Sequence, residues 1–322
     1  MTSEDTPAAR APEGRVPSPA HPQRRREALP QHQPKSHLDD PGAPARVAAI
    51  KASASYRPAI EDVGFLEEGP ARGPRLELDY LKAETLLDKH GIEHSIVVFG
   101  STRIAEPAMA RRQLAEAAAA LARDPDNGVL KQRVAVAERV VAKSRYYQVA
   151  RDFGRLIGSE AAAGGNRLVV VTGGGPGIME AANRGAWDAG APSVGLNITL
   201  PHEQFPNPYI TPELCFQFHY FAMRKLHFMM RARALVVFPG GYGTMDELFE
   251  TLTLIQTRKI APVPVVLVGE DYWRQAFDPD FLIAEGTIAP EDRDLFWFAE
   301  TAEEIWSDIR HWYKLAGRPL TP

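Results

Sequence analysis

Three short apolar runs, each ending at a glycine, set the terms for what this chain can fold into. They are Ser95 to Gly100 (S-I-V-V-F-G), Arg167 to Thr172 with G-G-G-P-G after it (Gly173 to Gly177), and Ala234 to Phe238 with P-G-G-Y-G-T-M-D-E after it (Pro239 to Glu247). A continuous apolar run of this length reads as a strand covered on both faces, the habit of parallel sheets. Further strands are expected at Ser193 to Ile198, Leu214 to His219 and Val263 to Val268. Helical patterns separate them at Ile178 to Ala189, Phe221 to Arg233 and Met245 to Ile255, and two more follow near Tyr272 to Glu285 and Ala302 to Leu315. Strands alternating with helices predict an α/β fold, a parallel sheet with helices on both faces.

One interruption stands out. Pro107 to Lys143 is rich in Ala and Arg and is broken by Asp124-Pro125-Asp126-Asn127-Gly128, which predicts a helical hairpin inserted into the domain. A third helix, about Ser144 to Ala162, turns Tyr147, Ala150, Phe153 and Leu156 toward a core. Upstream, Ala59 to His94 reads as irregular chain and then a helix with Leu78, Leu81, Leu86 and Leu87 as its buried face. Met1 to about Arg57 is a Pro/Ala/Arg-rich stretch with few recurring aliphatics, expected to be a disordered tail, its Arg24-Arg25-Arg26 run a solvated patch. Residues 58–322 are expected to form a single domain.

Charge and composition remove some function classes. With 37 Lys+Arg against 41 Asp+Glu the formal net charge is −4, so the balance of a nonspecific nucleic-acid binder is missing. A single cysteine, Cys215, permits neither an intrachain disulfide nor a Cys-based zinc cluster and suits a reducing cytoplasm. No apolar run approaches the roughly 18 to 20 residues that span a bilayer, and no secretory h-region is seen.

Glycine clusters end two of the strands, at the sheet edge where open α/β sheets bind ligands. Without a Cβ the backbone can come close to a ligand, and the following helix begins with unpaired N–H groups and partial positive charge suited to a phosphate. Neither turn fits G-x-G-x-x-G, and no acid ends Leu196-Asn197-Ile198, which argues against a dinucleotide; no G-x-x-x-x-G-K-[ST] or G-x-S-x-G occurs. A monophosphate is the simplest tenant. Thr244 could add a hydroxyl donor or serve as N-cap, with Glu247 closing a capping box; Glu247 and Asp246 could equally be acids placed for helix stability. Arg224 and Lys225 either reach the ligand or form the wet edge of a helix whose apolar face is Phe221, Leu226, Phe228, Met229 and Met230. His227 is expected to pack or cap.

The segment Pro239 to Glu247 resembles the P-G-G-x-G-T-x-x-E signature of the LONELY GUY (LOG) family. V-V-F-G-S at Val97, T-G-G-G-P-G-I-M-E at Thr172 and M-R-K at Met223 agree in order, over about Ser95 to Trp273. The resemblance implies a Rossmann-like, doubly wound parallel sheet, here with an inserted helical hairpin, in a longer bacterial form. It implies hydrolysis of a cytokinin riboside 5′-monophosphate, or of AMP, to free base and ribose 5-phosphate, without metal or organic cofactor. It implies catalytic roles for Arg224 and Glu247, and substrate contacts from Gly174, Gly175, Glu203, Lys225, Gly240, Gly241, Tyr242, Gly243, Thr244, Asp246 and Thr253. Met245-Asp246 replaces the commoner Leu-Glu, and the stretch from Glu203 to Arg224 is longer than in the short form. A homodimer or higher homo-oligomer, free of nucleic acid and membrane, is expected. The rivals are a molybdenum-cofactor carrier of related fold, a decarboxylase with pyridoxal phosphate on Lys225, and an interaction protein working through its tail.

Overall fold

The computed structural model describes residues 19–25, 27–29, 33–164, 168–201 and 205–321, the side chains of 161–164 excepted. The chain divides into two compact units, Met1–Ala71 and Arg72–Pro322. In the first lie α1 (Ala43–Ala52) and α2 (Val63–Glu67), the latter capped by the Asp62 carboxylate, which accepts from the Phe65 amide. Helix α1 falls within the stretch expected to be a tail. Its sequence, A-P-A-R-V-A-A-I-K-A, has high helix propensity without an apolar period to announce it.

The second unit runs α3 (Arg72–Lys89), β1 (His94–Phe99), α4 (Pro107–Arg123), α5 (Gly128–Lys143), α6 (Arg145–Gly164), β2 (Leu168–Thr172), α7 (Ile178–Asp188), β3 (Ser193–Ile198), β4 (Cys215–Phe218), α8 (Phe221–Met230), β5 (Ala232–Val237), α9 (Tyr242–Gln256), β6 (Val265–Val268), α10 (Glu270–Ala276), α11 (Pro279–Ala284), β7 (Trp297–Ala299) and α12 (Ala302–Leu315). The strands form one parallel sheet in the order β4-β3-β2-β1-β5-β6-β7. The order reverses at β1, which pairs with β2 on one side and β5 on the other. That reversal opens a crevice beyond the carboxyl ends of β1 and β5, where such sheets bind ligands.

Both faces are covered, as a parallel sheet requires. Ile96 and Val98 turn to one layer with Val170, Val236, Phe153 and Ile305, while Val97 and Phe99 turn to the other with Val171, Val237, Phe228 and Leu248. Helices α6 and α7 touch through small residues: a Cβ on Gly154 would lie 2.1 Å from the Ala182 carbonyl oxygen, and one on Gly185 would lie 1.9 Å from that of Arg151. The inserted hairpin is α4 and α5, and the Asn127 side chain caps α5 by accepting from the Val129 and Leu130 amides.

Several expectations need correction. On α3 the buried residues are Ala83 and Leu87, while Leu78 and Leu81 are exposed. At about 100° per residue the latter two stand well over a right angle away from Ala83 around the helix. The single helix expected near Tyr272 to Glu285 is split at Phe277, because Asp278 caps a new helix with Pro279 in its first turn. The three-residue edge strand β7 was too short to show a period.

Candidate active site

Three turns meet at the crevice. The first two continue the pairing of their strands: the Phe238 amide donates to the Phe99 carbonyl at 2.8 Å and the Ser101 amide to the Pro239 carbonyl at 2.9 Å. The third, after β2, docks when the Ile178 amide at the start of α7 donates to the Ser101 carbonyl at 3.3 Å. Together with α8 they enclose a cavity of about 500 Å³ lined by Gly100, Ser101, Thr102, Arg103, Met179, Phe221, Arg224, Gly241 to Thr244, Asp246 and Glu247.

Helix α9 begins at Tyr242 with Gly241 as N-cap, and no side chain caps it. The capping-box reading of Thr244 and Glu247 is therefore corrected: the helix starts three residues earlier, and both side chains lie inside it. Among the described residues the N–H groups of Gly241, Tyr242 and Gly243 have no hydrogen-bond partner. They are three donors with the helix dipole behind them, facing an open cavity. The glycines divide the work. A Cβ at Gly240 would lie 2.2 Å from the Thr244 hydroxyl oxygen, so that glycine admits Thr244, whereas a Cβ at Gly241 or Gly243 would meet no protein atom within 4 Å. The Tyr272 hydroxyl donates to the Gly240 carbonyl and anchors the loop from β6's side.

Helix α8 supplies the cations. The Arg224 guanidinium donates through Nε to the Leu196 carbonyl at 2.7 Å and through Nη2 to the Gly173 carbonyl at 3.4 Å, and it lies 5.2 Å from the centre of the Phe228 ring. It is thus clamped against the ends of β2 and β3 with its remaining donors free toward the cavity. Burial lowers its pKa, against the attraction of Glu247. Lys225 faces α9 instead, with its ammonium 2.6 Å from Asp246, 2.8 Å from Glu250 and 3.5 Å from Glu247. The wet-edge reading of this pair is corrected as well: the exposed residues of α8 include Phe221, Leu226 and Met230, and His227 and Phe228 are buried. His227 packs, as expected, between the Tyr80 and Phe218 rings.

Glu247 is 6% exposed. Burial pushes its carboxyl up to about 7, with Lys225 and Arg224 pulling it down and Glu250 and Asp246 pushing it up. A carboxyl poised near neutrality in a cavity, beside an anchored guanidinium and one turn beyond the free amides of its own helix, has the makings of a catalytic group.

The remaining predicted residues are placed as follows. Tyr242 stands at the mouth, and Asp246 lies on the rim, tied to Lys225. Gly174 and Gly175 are not on the cavity wall. Gly174 has φ +74°, its N–H donates to the Thr172 hydroxyl, its carbonyl accepts from the Asn207 amide, and Asn197 fills the space a Cβ would need. That turn is built for packing: Asn183 binds Thr172, Ser193 and Asn207 in a buried network beneath it. Thr253 is exposed, three turns along α9, and its hydroxyl donates to the Phe249 carbonyl. Glu203 lies outside the described residues. Thr102, Arg103, Met179 and Phe221 were not anticipated as cavity residues. The crossover at β1 is the signal that could have found the first two, but the strand order is not written in the local pattern.

Residues 179–309 match the family model described as "Possible lysine decarboxylase". Among curated proteins the chain is 30% identical over 184 residues to the cytokinin riboside 5′-monophosphate phosphoribohydrolase LOG3 of Arabidopsis thaliana, spanning 56% of this chain and 81% of that protein. It is 31% identical over 144 residues to the enzyme LOG of Oryza sativa subsp. japonica, spanning 42% of this chain and 57% of that protein. Among solved structures, a molybdenum cofactor carrier protein from Chlamydomonas reinhardtii aligns with a TM-score of 0.40 at 18% identity, over 69% of this chain and 99% of that one. The molybdenum cofactor binding protein of Rippkaea orientalis aligns with a TM-score of 0.34 at 21% identity, over 52% of this chain and 87% of that one.

Proposed function

Because this chain belongs to the LOG family, we propose that it hydrolyses the N-glycosidic bond of a purine nucleoside 5′-monophosphate, AMP or a cytokinin riboside 5′-monophosphate, to free base and ribose 5-phosphate. The observation that carries the reading is the placement of the buried Glu247 carboxyl on the same helix as the unpaired amides of Gly241 to Gly243, one turn further along. Four residues of helix from Gly243 to Glu247 rise about 6 Å, comparable with the reach of a ribose from its 5′-phosphate to C1′. A phosphate held at the helix N-terminus therefore delivers C1′ beside the carboxylate, and binding energy from the phosphate positions the bond to be broken.

Breaking that bond develops positive charge on the sugar and negative charge on the departing base. Ionised Glu247 stabilises the first and orients the attacking water. Arg224, fixed by the Leu196 and Gly173 carbonyls, stabilises the second with donors that need not move during the reaction. Tyr242 flanks the phosphate at the mouth, and Thr244 lies deeper in the wall beside it. The chain acts as a homodimer or larger homo-oligomer in this reading, which sedimentation of the purified protein tests.

Purified protein incubated with AMP and, separately, with N6-isopentenyladenosine monophosphate should release free base and ribose 5-phosphate in equal amounts, with the faster of the two identifying the preferred base. Nucleoside and inorganic phosphate as products, or no products, would overturn the reading. The second result would leave binding without chemistry.

A further inference from the structure

The resemblance assigns Lys225 to the substrate, but its surroundings in the structure give it other work. Its neighbour Arg224 lines the nucleotide cavity together with Asp246 and Glu247. Lys225 and Glu250 line a separate groove between α8 and α9, on the other side of Glu247. An ammonium has three N–H bonds. Asp246 and Glu250, one helical turn apart on α9, sit at 2.6 and 2.8 Å, with Glu247 between them at 3.5 Å, and the Lys225 side chain is only 17% exposed. One cation among three carboxylates leaves the cluster net negative when all are ionised, a poor place for a phosphate dianion. The phosphate has an alternative a turn away, at the free amides of Gly241 to Gly243.

We propose that Lys225 is a positioning residue that acts through Glu247, and that Glu250, with Asp246, holds it there. This rests on the reading of Glu247 as the catalytic carboxylate. The groups facing Glu247 are Arg224 and Lys225 from α8 and Asp246 and Glu250 from α9. Of these, Lys225 favours the ionised carboxylate, while Glu250 opposes it directly by like-charge repulsion. Removing the two therefore has opposite consequences, which a loss of fold or of general packing would not produce.

The test is a carbon-13 NMR titration of side-chain carboxyls in the full-length protein, with the Glu247 signal assigned by its absence in Glu247→Gln. Lys225→Met should move the Glu247 midpoint upward by about one unit or more, and Glu250→Gln should move it downward. Lys225→Arg, which keeps the charge, should stay near wild type. Calorimetric titration with ribose 5-phosphate should give Lys225→Met the wild-type affinity. If instead Lys225→Met leaves the midpoint unmoved and weakens ribose 5-phosphate binding tenfold or more, about the loss of one charge-assisted hydrogen bond, Lys225 is a phosphate ligand and the proposal falls. Should Lys225→Met fail to fold, Glu250→Gln decides alone, an unmoved midpoint overturning the proposal. None of these readouts needs turnover. A wild-type protein that releases no base defeats the functional reading, whereas an unmoved midpoint in a protein that does release base defeats this one.

Discussion

Adding a methyl group at position 240 and adding one at position 241 should have opposite signatures, although the two glycines are adjacent in P-G-G-Y-G-T. In Gly240→Ala the new Cβ would lie 2.2 Å from the Thr244 Oγ1, 2.5 Å from its Cβ and 2.7 Å from its Cγ2. Thr244 is itself buried and held in the first turn of α9, so it cannot swing aside. Overpacking of this kind costs about 1 to 3 kcal/mol, which for a unit of this size lowers Tm by roughly 2 to 10 °C. In Gly241→Ala the methyl meets no protein atom within 4 Å, and with φ −96° and ψ −154° the backbone suits alanine. Stability should stay within about 0.5 kcal/mol of wild type. The empty space is where a phosphate must approach the amides. Losing one or more hydrogen bonds to a charged group, about 1.5 to 3 kcal/mol each, should weaken ribose 5-phosphate binding roughly 10- to 150-fold. Thermal denaturation and isothermal calorimetry separate the two effects. If Gly241→Ala binds ribose 5-phosphate as wild type does, the phosphate is not bound at these amides, and if it unfolds as early as Gly240→Ala, the space beside position 241 is not open.

Three further outcomes follow from the same geometry. Arg224→Lys keeps the charge but cannot reach the Leu196 and Gly173 carbonyls with a fork while also facing the cavity, so kcat for base release should fall about 30- to 150-fold, the equivalent of 2 to 3 kcal/mol; a wild-type kcat would show that the guanidinium geometry is idle. Glu247, raised from 4.5 to about 7 by burial, adds stability as the neutral acid that is complete below its unfolded pKa and lost as pH rises through 7. Glu247→Gln should accordingly be the more stable protein at about pH 8, by as much as about 3 kcal/mol, with the gap closing toward about pH 4; denaturant curves that differ equally at both pH values would contradict this. Asn183→Ala strands Thr172, Ser193 and Asn207 at a site with no solvent exposure, and equilibrium unfolding should register a loss of about 2 to 4 kcal/mol; a loss under 1 kcal/mol would mean the network under the second glycine turn is not structural.

Much of the fold could be read before any coordinates because a doubly covered parallel sheet demands unbroken apolar runs. The S-I-V-V-F, L-V-V-V-T and A-L-V-V runs became β1, β2 and β5, the central three strands, nearly to the residue. The hairpin was legible from D-P-D-N-G, where Asn127 supplies the cap. What stayed hidden was orientation around helix axes. In α3 four leucines suggested a face, but Ala83 and Leu87 set the packing with Leu86 partly buried beside them, and Leu78 and Leu81 are exposed. In α8 the apolar residues Leu226 and Met230 point outward, while Arg224 is drawn inward by two strand-end carbonyls that only the assembled sheet provides. The same limit applies to the site. The P-G-G-Y-G-T turn was visible from local chemistry. The look-alike G-G-G-P-G turn is packed and hydrogen-bonded by Asn183, Asn197 and Asn207, contacts that its own five residues do not announce. Glu250 went unnoticed because nothing in F-E-T distinguishes it until Lys225 arrives from α8.

The central claim is that Glu247 breaks a glycosidic bond while the start of its helix holds the phosphate. The most direct measurement compares wild type with Glu247→Gln on AMP and N6-isopentenyladenosine monophosphate, following free base by chromatography and ribose 5-phosphate affinity by calorimetry. The account predicts that the variant keeps its affinity for ribose 5-phosphate and loses about 10²- to 10⁴-fold in turnover. Base release by Glu247→Gln at the wild-type rate would contradict it.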